Sequence, residues 1–357
     1  HLIRFNERIC VNGEEISDRE LIHFTELIKC KLEEENKKRT DKLEPTFFEF
    51  TTAVAFLYFA SKNVDFAVVE VGMGGRLDAT NVVTPLVCVI TNVSYDHMEH
   101  LGDTLLRIAS QKAGIIKERM VVVTAEQNKE VLDYFETECA GKGSELFLVG
   151  RDIIAAQMLD SLEYQELQVS GLVEGRFIVR MLGNHQILNA GCALLAIFGL
   201  RRFGIDIPLF QIKEGIETAQ WGGRLEIVSS NPLVLVDGAH NVAGITALVN
   251  YIRDLKNKKV LVIGIAKDKE IEKMVALIAP LFECVVVSQG NFKPAPADEV
   301  AAIVRRYNVN VQVITDVHAA LDAALGMVEK QDVVLVTGSL YMIGDALALL
   351  RKKCSSI

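Results

Sequence analysis

Short runs of β-branched and apolar residues, each followed by a longer amphipathic stretch, recur along the chain, and that alternation points to an α/β fold built on parallel sheets. In the first part the runs at 66–71, 86–91, 120–124 and 146–149 read as strands, with helices predicted over 47–61, 104–115 and 128–140. Residues 162–179 alternate like an antiparallel hairpin with Gly171 and Gly175 at its turns, and 189–203 is an Ala/Leu-rich helix. A second set follows, with strands at 225–229, 233–236, 260–265, 284–288, 311–315 and 333–337. The break falls near 220–223, where Trp221, the only tryptophan, meets two glycines. The charge-dense segment 29–45 reads as a solvated helix end and loop without chemistry.

At 357 residues there is room for two domains, each with a core of its own. No apolar run approaches the length that spans a bilayer, and a formal net charge of -9 argues against a general nucleic-acid binder. The seven cysteines, Cys10, Cys30, Cys88, Cys139, Cys192, Cys284 and Cys354, show neither close pairing nor metal-ligand spacing. They suit a reducing cytoplasm better than a disulfide framework. The sequence opens at His1 with no initiator Met and no signal segment, as a fragment would.

Chemistry gathers at the ends of the predicted strands. The run 66–71 carries Glu70 into the glycine-rich turn Gly72-Met-Gly-Gly-Arg-Leu-Asp78-Ala-Thr-Asn81. An acid at the end of a buried strand calls for a partner, and ligands collect at the carboxyl ends of strands in open α/β sheets. Taken alone, a tight turn with a capping Asp competes with this reading. The next strand ends in Asn92-Val-Ser-Tyr-Asp-His97, so Glu70 and His97 on neighbouring strand ends could share Mg²⁺ or Mn²⁺. Lys112, followed by Ala-Gly-Ile-Ile, lies in apolar surroundings where burial would lower its pKa, although a snorkelling surface lysine has the same signature. The helix opening Gly183-Asn-His-Gln-Ile-Leu-Asn189 concentrates amides and an imidazole at a first turn, with N-capping by Asn184 as the plain alternative. In the second set, Gly222-Gly-Arg224-Leu-Glu enters a strand and Asp237-Gly-Ala-His240-Asn leaves the next. An Arg and a strand-end Asp suit phosphate and ribose contacts.

Together these motifs resemble the folylpolyglutamate synthase and dihydrofolate synthase family, a branch of the Mur ligases. The resemblance runs from HLIRFNERICVNG at residue 1 through TFFE, EVGMGGRLDATN, DHMEHLGDT, KAGIIK and GGRLE to DGAHN. It implies a P-loop-type α/β domain over 1–220, joined to a smaller Rossmann-like glutamate ligase domain over 221–357, with ATP between them. By resemblance, Glu70, His97 and Lys112 are ligands of two Mg²⁺ sites, Lys112 as a carbamate. Thr46, Phe47, Phe48, Glu49, Leu77, Asp78 and Ala79 match positions that line the pterin site. Asn189, Arg224, Asp237 and His240 match the nucleotide site, and Lys112, His97 and Arg224 match the catalytic set. The implied reaction adds L-glutamate to dihydropteroate or a folate through an acyl phosphate made from ATP, in a cytoplasmic monomer that uses neither nucleic acid nor membrane.

Members of that family carry a glycine-rich, lysine-containing phosphate loop upstream of the position of His1, and no such run occurs in these 357 residues. The intact downstream motifs lead us to expect an N-terminally truncated record of an active enzyme. A related ligase acting on another carboxylate, and a non-catalytic nucleotide-binding fragment, are the alternatives.

Overall fold

Main-chain pairing sorts the strands of the computed structural model, which describes residues 1–354 with side chains to Lys352, into four sheets. The Cys354 side chain thus lies outside the described residues. The chain divides into two compact units. One comprises 3–122 and 127–146, the other 123–126 and 147 onward.

The first unit opens with β1 (Cys10–Val11) and β2 (Glu14–Glu15), a two-rung antiparallel pair. Helix α1 (Asp18–Lys38) starts at a capping box in which Ser17 Oγ accepts the Glu20 N–H. It therefore runs well into the charge-dense segment before the loop begins. Its Phe24 meets Val54 and Tyr58 of α2 (Phe47–Lys62) in a small core. The central layer is the sheet β3 (Val87–Ile90), β4 (Val121–Thr124), β5 (Glu145–Leu148), interleaved with α3 (Met98–Leu101), α4 (Leu105–Lys112) and α5 (Lys129–Gly141). Ile108, Met120, Val122, Phe135 and Cys139 are buried together here. Each large side chain so buried stabilises by about 1.5–3 kcal/mol.

One predicted strand is missing. Residues 66–71 form no strand and join no sheet, and Phe66 and Val68 are 56% and 99% exposed. Strand geometry needs a hydrogen-bonded neighbour, and the sheet of this unit contains only β3, β4 and β5 among the described residues. Glu70 accordingly sits on exposed chain outside any strand, not at the end of a buried one.

In the second unit the expected hairpin is β7 (Gln165–Gly171) and β8 (Gly175–Val179), extended by β6 (Ile153–Asp160) into a three-stranded antiparallel sheet. Helix α6 (Asn184–Gly199) begins five residues earlier than its Ala/Leu-rich run suggests, and α7 (Leu209–Thr218) follows. Then come β9 (Glu226–Ser230), β10 (Leu233–Val236), α8 (Val242–Ile252), β11 (Lys259–Ile263), α9 (Ile271–Ile278), β12 (Cys284–Val287), α10 (Ala297–Val304), β13 (Val311–Val313), α11 (Val317–Gly326), β14 (Val333–Thr337) and α12 (Leu340–Cys354). The sheet order is β13-β12-β11-β14-β10-β9, parallel from β13 to β10 and closed by antiparallel β9. Residues of α8, α9 and α10 fill one core, and those of α11 and α12 another. Both faces of the sheet are thus covered, which is why its central strands read as continuous apolar runs.

Candidate active site

The glycine-rich turn is bolted to the end of α4. Arg76 N–H donates to Gln111 O at 2.8 Å, and Asn81 Nδ2 donates to Arg76 O at 3.0 Å and to Gly114 O at 3.2 Å. A Cβ on Gly75 would stand 2.8 Å from Gln111 O, so glycine here permits close approach of two backbones. Asp78 is spent inside the turn: Oδ2 accepts the Met73 N–H at 2.9 Å, while Oδ1 accepts the Thr80 N–H and hydroxyl at 3.0 and 2.5 Å. The capping Asp of the sequence is therefore present. Leu77 beside it is 92% exposed, and Ala79 starts the 3-10 turn that Asp78 caps.

Thr46 and Glu49 form the capping box of α2, with Glu49 Oε2 accepting the Thr46 N–H at 2.7 Å. Phe47 projects outward. The Phe48 ring lies over Gly72, where a Cβ would meet ring carbons at 2.5 Å, and so ties α2 to the glycine turn.

Between that turn and the end of β3 lies a cavity of about 290 Å³, lined by Gly72, Met73, Gly74, Thr91, Asn92, Ser94, Asp96, His97 and Lys112 with apolar neighbours. His97 occupies the left-handed region at φ 48 and donates its N–H to Asp96 Oδ1 at 2.9 Å. Its Nε2 stands 3.8 Å from the same oxygen. Lys112 is half-buried; burial pulls its pKa below 10.5, and Asp96 opposes that shift. Glu70 is absent from the cavity wall. The oxygen and imidazole donors suit a hard dication, yet among the described residues no three His, Cys, Asp or Glu side chains are gathered closely enough to hold one.

A second constellation lies in the other unit. Asp237 leaves β10 and is 6% exposed, its Oδ2 accepting the Leu225 N–H at 2.9 Å and its Oδ1 the Ala239 N–H at 2.8 Å. Burial raises its pKa, opposed by those two bonds, by Arg224 and by His185. Gly223 on the other side of Arg224 is held by Glu226 Oε2 at 2.8 Å and by the Gly238 N–H at 2.8 Å. Arg224 is thus gripped from both neighbours. His240 Nδ1 lies 2.8 Å from Gly238 O, within hydrogen-bond distance.

Within the first two turns of α6, Asn189 Nδ2 donates to Gln186 Oε1 at 2.9 Å, and Gln186 Nε2 meets His185 Nε2 at 3.2 Å. Burial lowers the His185 pKa, against Asp237, and its Nδ1 is buried without a hydrogen-bond partner among the described residues. The cap of α6 is Gly183 at φ 93, not Asn184.

Residues 17–197 match the Mur ligase middle domain, and residues 223–340 match the Mur ligase glutamate ligase domain. The dihydrofolate synthase/folylpolyglutamate synthase of Bacillus subtilis is 35% identical over 360 residues, covering 97% of this chain and 81% of that protein. The chain belongs to the folylpolyglutamate/dihydrofolate synthase family of Mur ligases. The folylpolyglutamate synthase of Thermotoga maritima superposes with a TM-score of 0.85 at 35% identity, over 99% of this chain and 81% of that one. The Mycobacterium tuberculosis enzyme, crystallised with ADP and AMPPCP, gives 0.90 at 30% identity over 98% and 83%. The fold is accordingly that of a Mur ligase, and this member of the family is a ligase.

Sequence reading gave no role to Asp96 or to Thr91, Asn92 and Ser94 on the cavity wall, and it singled out the amides and imidazole of the α6 opening without pairing Gln186 with His185. The signal for Thr91, Asn92 and Ser94 was available, since all follow the carboxyl end of a strand. Gln165, fully buried, had no comparable signal. It binds Met181 O at 2.7 Å and so holds the entry to α6.

Proposed function

We propose that this ligase adds L-glutamate to a pteroyl or folyl carboxylate at the expense of ATP, as a dihydrofolate synthase, a folylpolyglutamate synthase, or both. The observation that carries this reading is the half-buried Lys112, facing a polar cavity with Asp96 and His97 and with no acid within ion-pair distance among the described residues. A lysine whose pKa is lowered by burial holds more of its neutral amine. That form adds CO₂ and releases a proton, giving a carbamate anion. Carbamylation would add an anionic oxygen donor beside Asp96 and His97, on a cavity wall that Glu70 does not reach. A dication held there would neutralise charge on a transferred phosphoryl group.

In the same reading, Asn189, Arg224, Asp237 and His240 contact the nucleotide. The buried Asp237 offers a fixed acceptor to ribose hydroxyls, and Arg224 offers a cation to phosphate. Thr46, Phe47, Phe48 and Glu49, with Leu77, Asp78 and Ala79, flank the pterin. The exposed Phe47 and Leu77 are unspent apolar surface, whereas the polar atoms of Thr46, Glu49 and Asp78 already serve caps, so their contribution to the pterin is through backbone shape. We place the domain division near 220–223, as supported by family matches that end at 197 and resume at 223. A cytoplasmic monomer is the form in which we expect it to act; no helix among the described residues is long and apolar enough to cross a membrane. Glutamate-dependent ADP release with dihydropteroate or a folate tests the reading, and no release with either would remove it.

A further inference from the structure

Three side chains in contact lead from the buried entry of α6 to its surface. At the buried end, Gln165 of β7 donates through Nε2 to Met181 O at 2.7 Å and to Gly183 O at 3.3 Å, which fixes the loop that precedes the helix. The His185 ring packs on this loop. A Cβ on Gly183 would stand 2.8 Å from the ring's Cε1 and 3.0 Å from its Nδ1, so glycine there leaves the room that the ring occupies. Next comes Gln186, 5% exposed, with its Nε2 at 3.2 Å from His185 Nε2. Its Oε1 accepts from Asn189 Nδ2 at 2.9 Å, on the same helix face, and Asn189 is exposed.

Each link passes an orientation to the next. With Oε1 turned to Asn189, Gln186 presents to His185 an amide nitrogen, a group that only donates. Asn189, having given one N–H to Gln186, keeps its second N–H and its Oδ1, neither of which has a partner among the described residues. A donor beside an acceptor complements adenine, whose amino group lies next to a ring-nitrogen acceptor; guanine puts a carbonyl oxygen in place of the amino group. Turned over, the Asn189 amide would accept from Gln186 and offer two N–H groups, which suits guanine instead. Burial holds the His185 pKa below the ordinary imidazole range, with Arg224 acting in the same sense and Asp237 against it, so the ring is neutral at neutral pH.

We propose that neutral His185 accepts at Nε2 and, through Gln186, holds the Asn189 amide in the orientation that reads adenine and rejects guanine. His185 and Gln186 are then positioning residues for base selection. The assignment rests on the nucleotide contact proposed above for Asn189 and supplies the means by which one purine is told from the other.

Calorimetric titration of the protein with Mg-ATP and with Mg-GTP tests it independently of turnover. If glutamate-dependent ADP release fails while ATP still binds, the ligase reading has failed and the binding ratio still judges the relay. The wild type binds ATP about tenfold or more tighter than GTP, the scale of one good amide–base pair. Gln186→Leu unlocks the Asn189 amide and cuts that preference about fivefold or more. Gln186→Glu, whose carboxylate only accepts, keeps Asn189 as donor and retains most of the preference. His185→Phe keeps a ring against Gly183 but gives Gln186 no acceptor, and cuts the preference as Gln186→Leu does. A purely structural role weakens both nucleotides alike. Binding of neither nucleotide, or of both equally, by the wild type overturns the proposal; so does a preference that survives in Gln186→Leu or, where that variant does not fold, in His185→Phe. A preference lost to the same extent in Gln186→Glu as in Gln186→Leu overturns it as well.

Discussion

Gly114 faces the Arg76 backbone so closely that a Cβ at 114 would stand 2.4 Å from the Arg76 Cα. The glycine turn and the end of α4, which carries Lys112, therefore form one rigid piece. Moving either element moves the cavity wall.

Gly114→Ala consequently has an effect out of proportion to one methyl group. Backbone must shift on one side or the other, and overpacking of this kind costs about 1–3 kcal/mol. We expect a lower Tm by thermal melting and a lower turnover together. Gly141→Ala, where nothing lies within 4 Å of the added Cβ, serves as the control and leaves both unchanged.

Lys112→Met should separate stability from activity. The folded pKa of Lys112 is lowered from 10.5, mainly by burial, so the cation is disfavoured in the folded state. That penalty is full below the folded pKa and fades as pH rises towards the unfolded value. In CO₂-depleted buffer the variant melts a few degrees above wild type at pH 7, with a smaller gain near pH 10. Its turnover is lost, and added bicarbonate does not rescue it because no amine remains. Wild-type turnover in the variant would take Lys112 out of the mechanism.

Asp237→Asn turns one of two accepting oxygens into a donor that faces a backbone N–H. The expected cost is about 1–3 kcal/mol in urea unfolding. The KM for ATP rises more than the KM for glutamate, since the loss of Asp237 loosens the turn that grips Arg224.

Asp78→Ala frees the Met73 and Thr80 N–H groups together. Loss of such a cap costs about 0.5–2 kcal/mol. A shift confined to the KM for the pteroyl substrate, with the KM for ATP unmoved, is the outcome that links this turn to the pterin.

The sequence revealed the sheets wherever burial is symmetric. β10, β11 and β14 are covered on both faces and read directly as apolar runs, and Asp237 stands out at the end of one of them. Residues 66–71 look the same in composition but lack a pairing neighbour, which composition cannot reveal. β6 went unnoticed because most of its length is exposed and so shows no alternation. In the candidate site, Lys112 and His97 stood out in the sequence through their motifs, and both line one cavity. The capping duties of Thr46, Glu49 and Asp78 are tertiary facts at positions where the motif suggested only pterin contact. Gln165 was hidden because one buried amide inside a strand has no pattern to repeat.

The central claim is that this chain carries the working parts of a glutamate-adding ligase. It is tested most directly by coupled measurement of ADP release in the protein, with Mg²⁺, ATP and dihydropteroate or a folate, with and without L-glutamate. The account predicts release that depends on glutamate, accompanied by a product heavier by one glutamyl residue. ADP release indifferent to glutamate, or none with either pteroyl substrate, would contradict it.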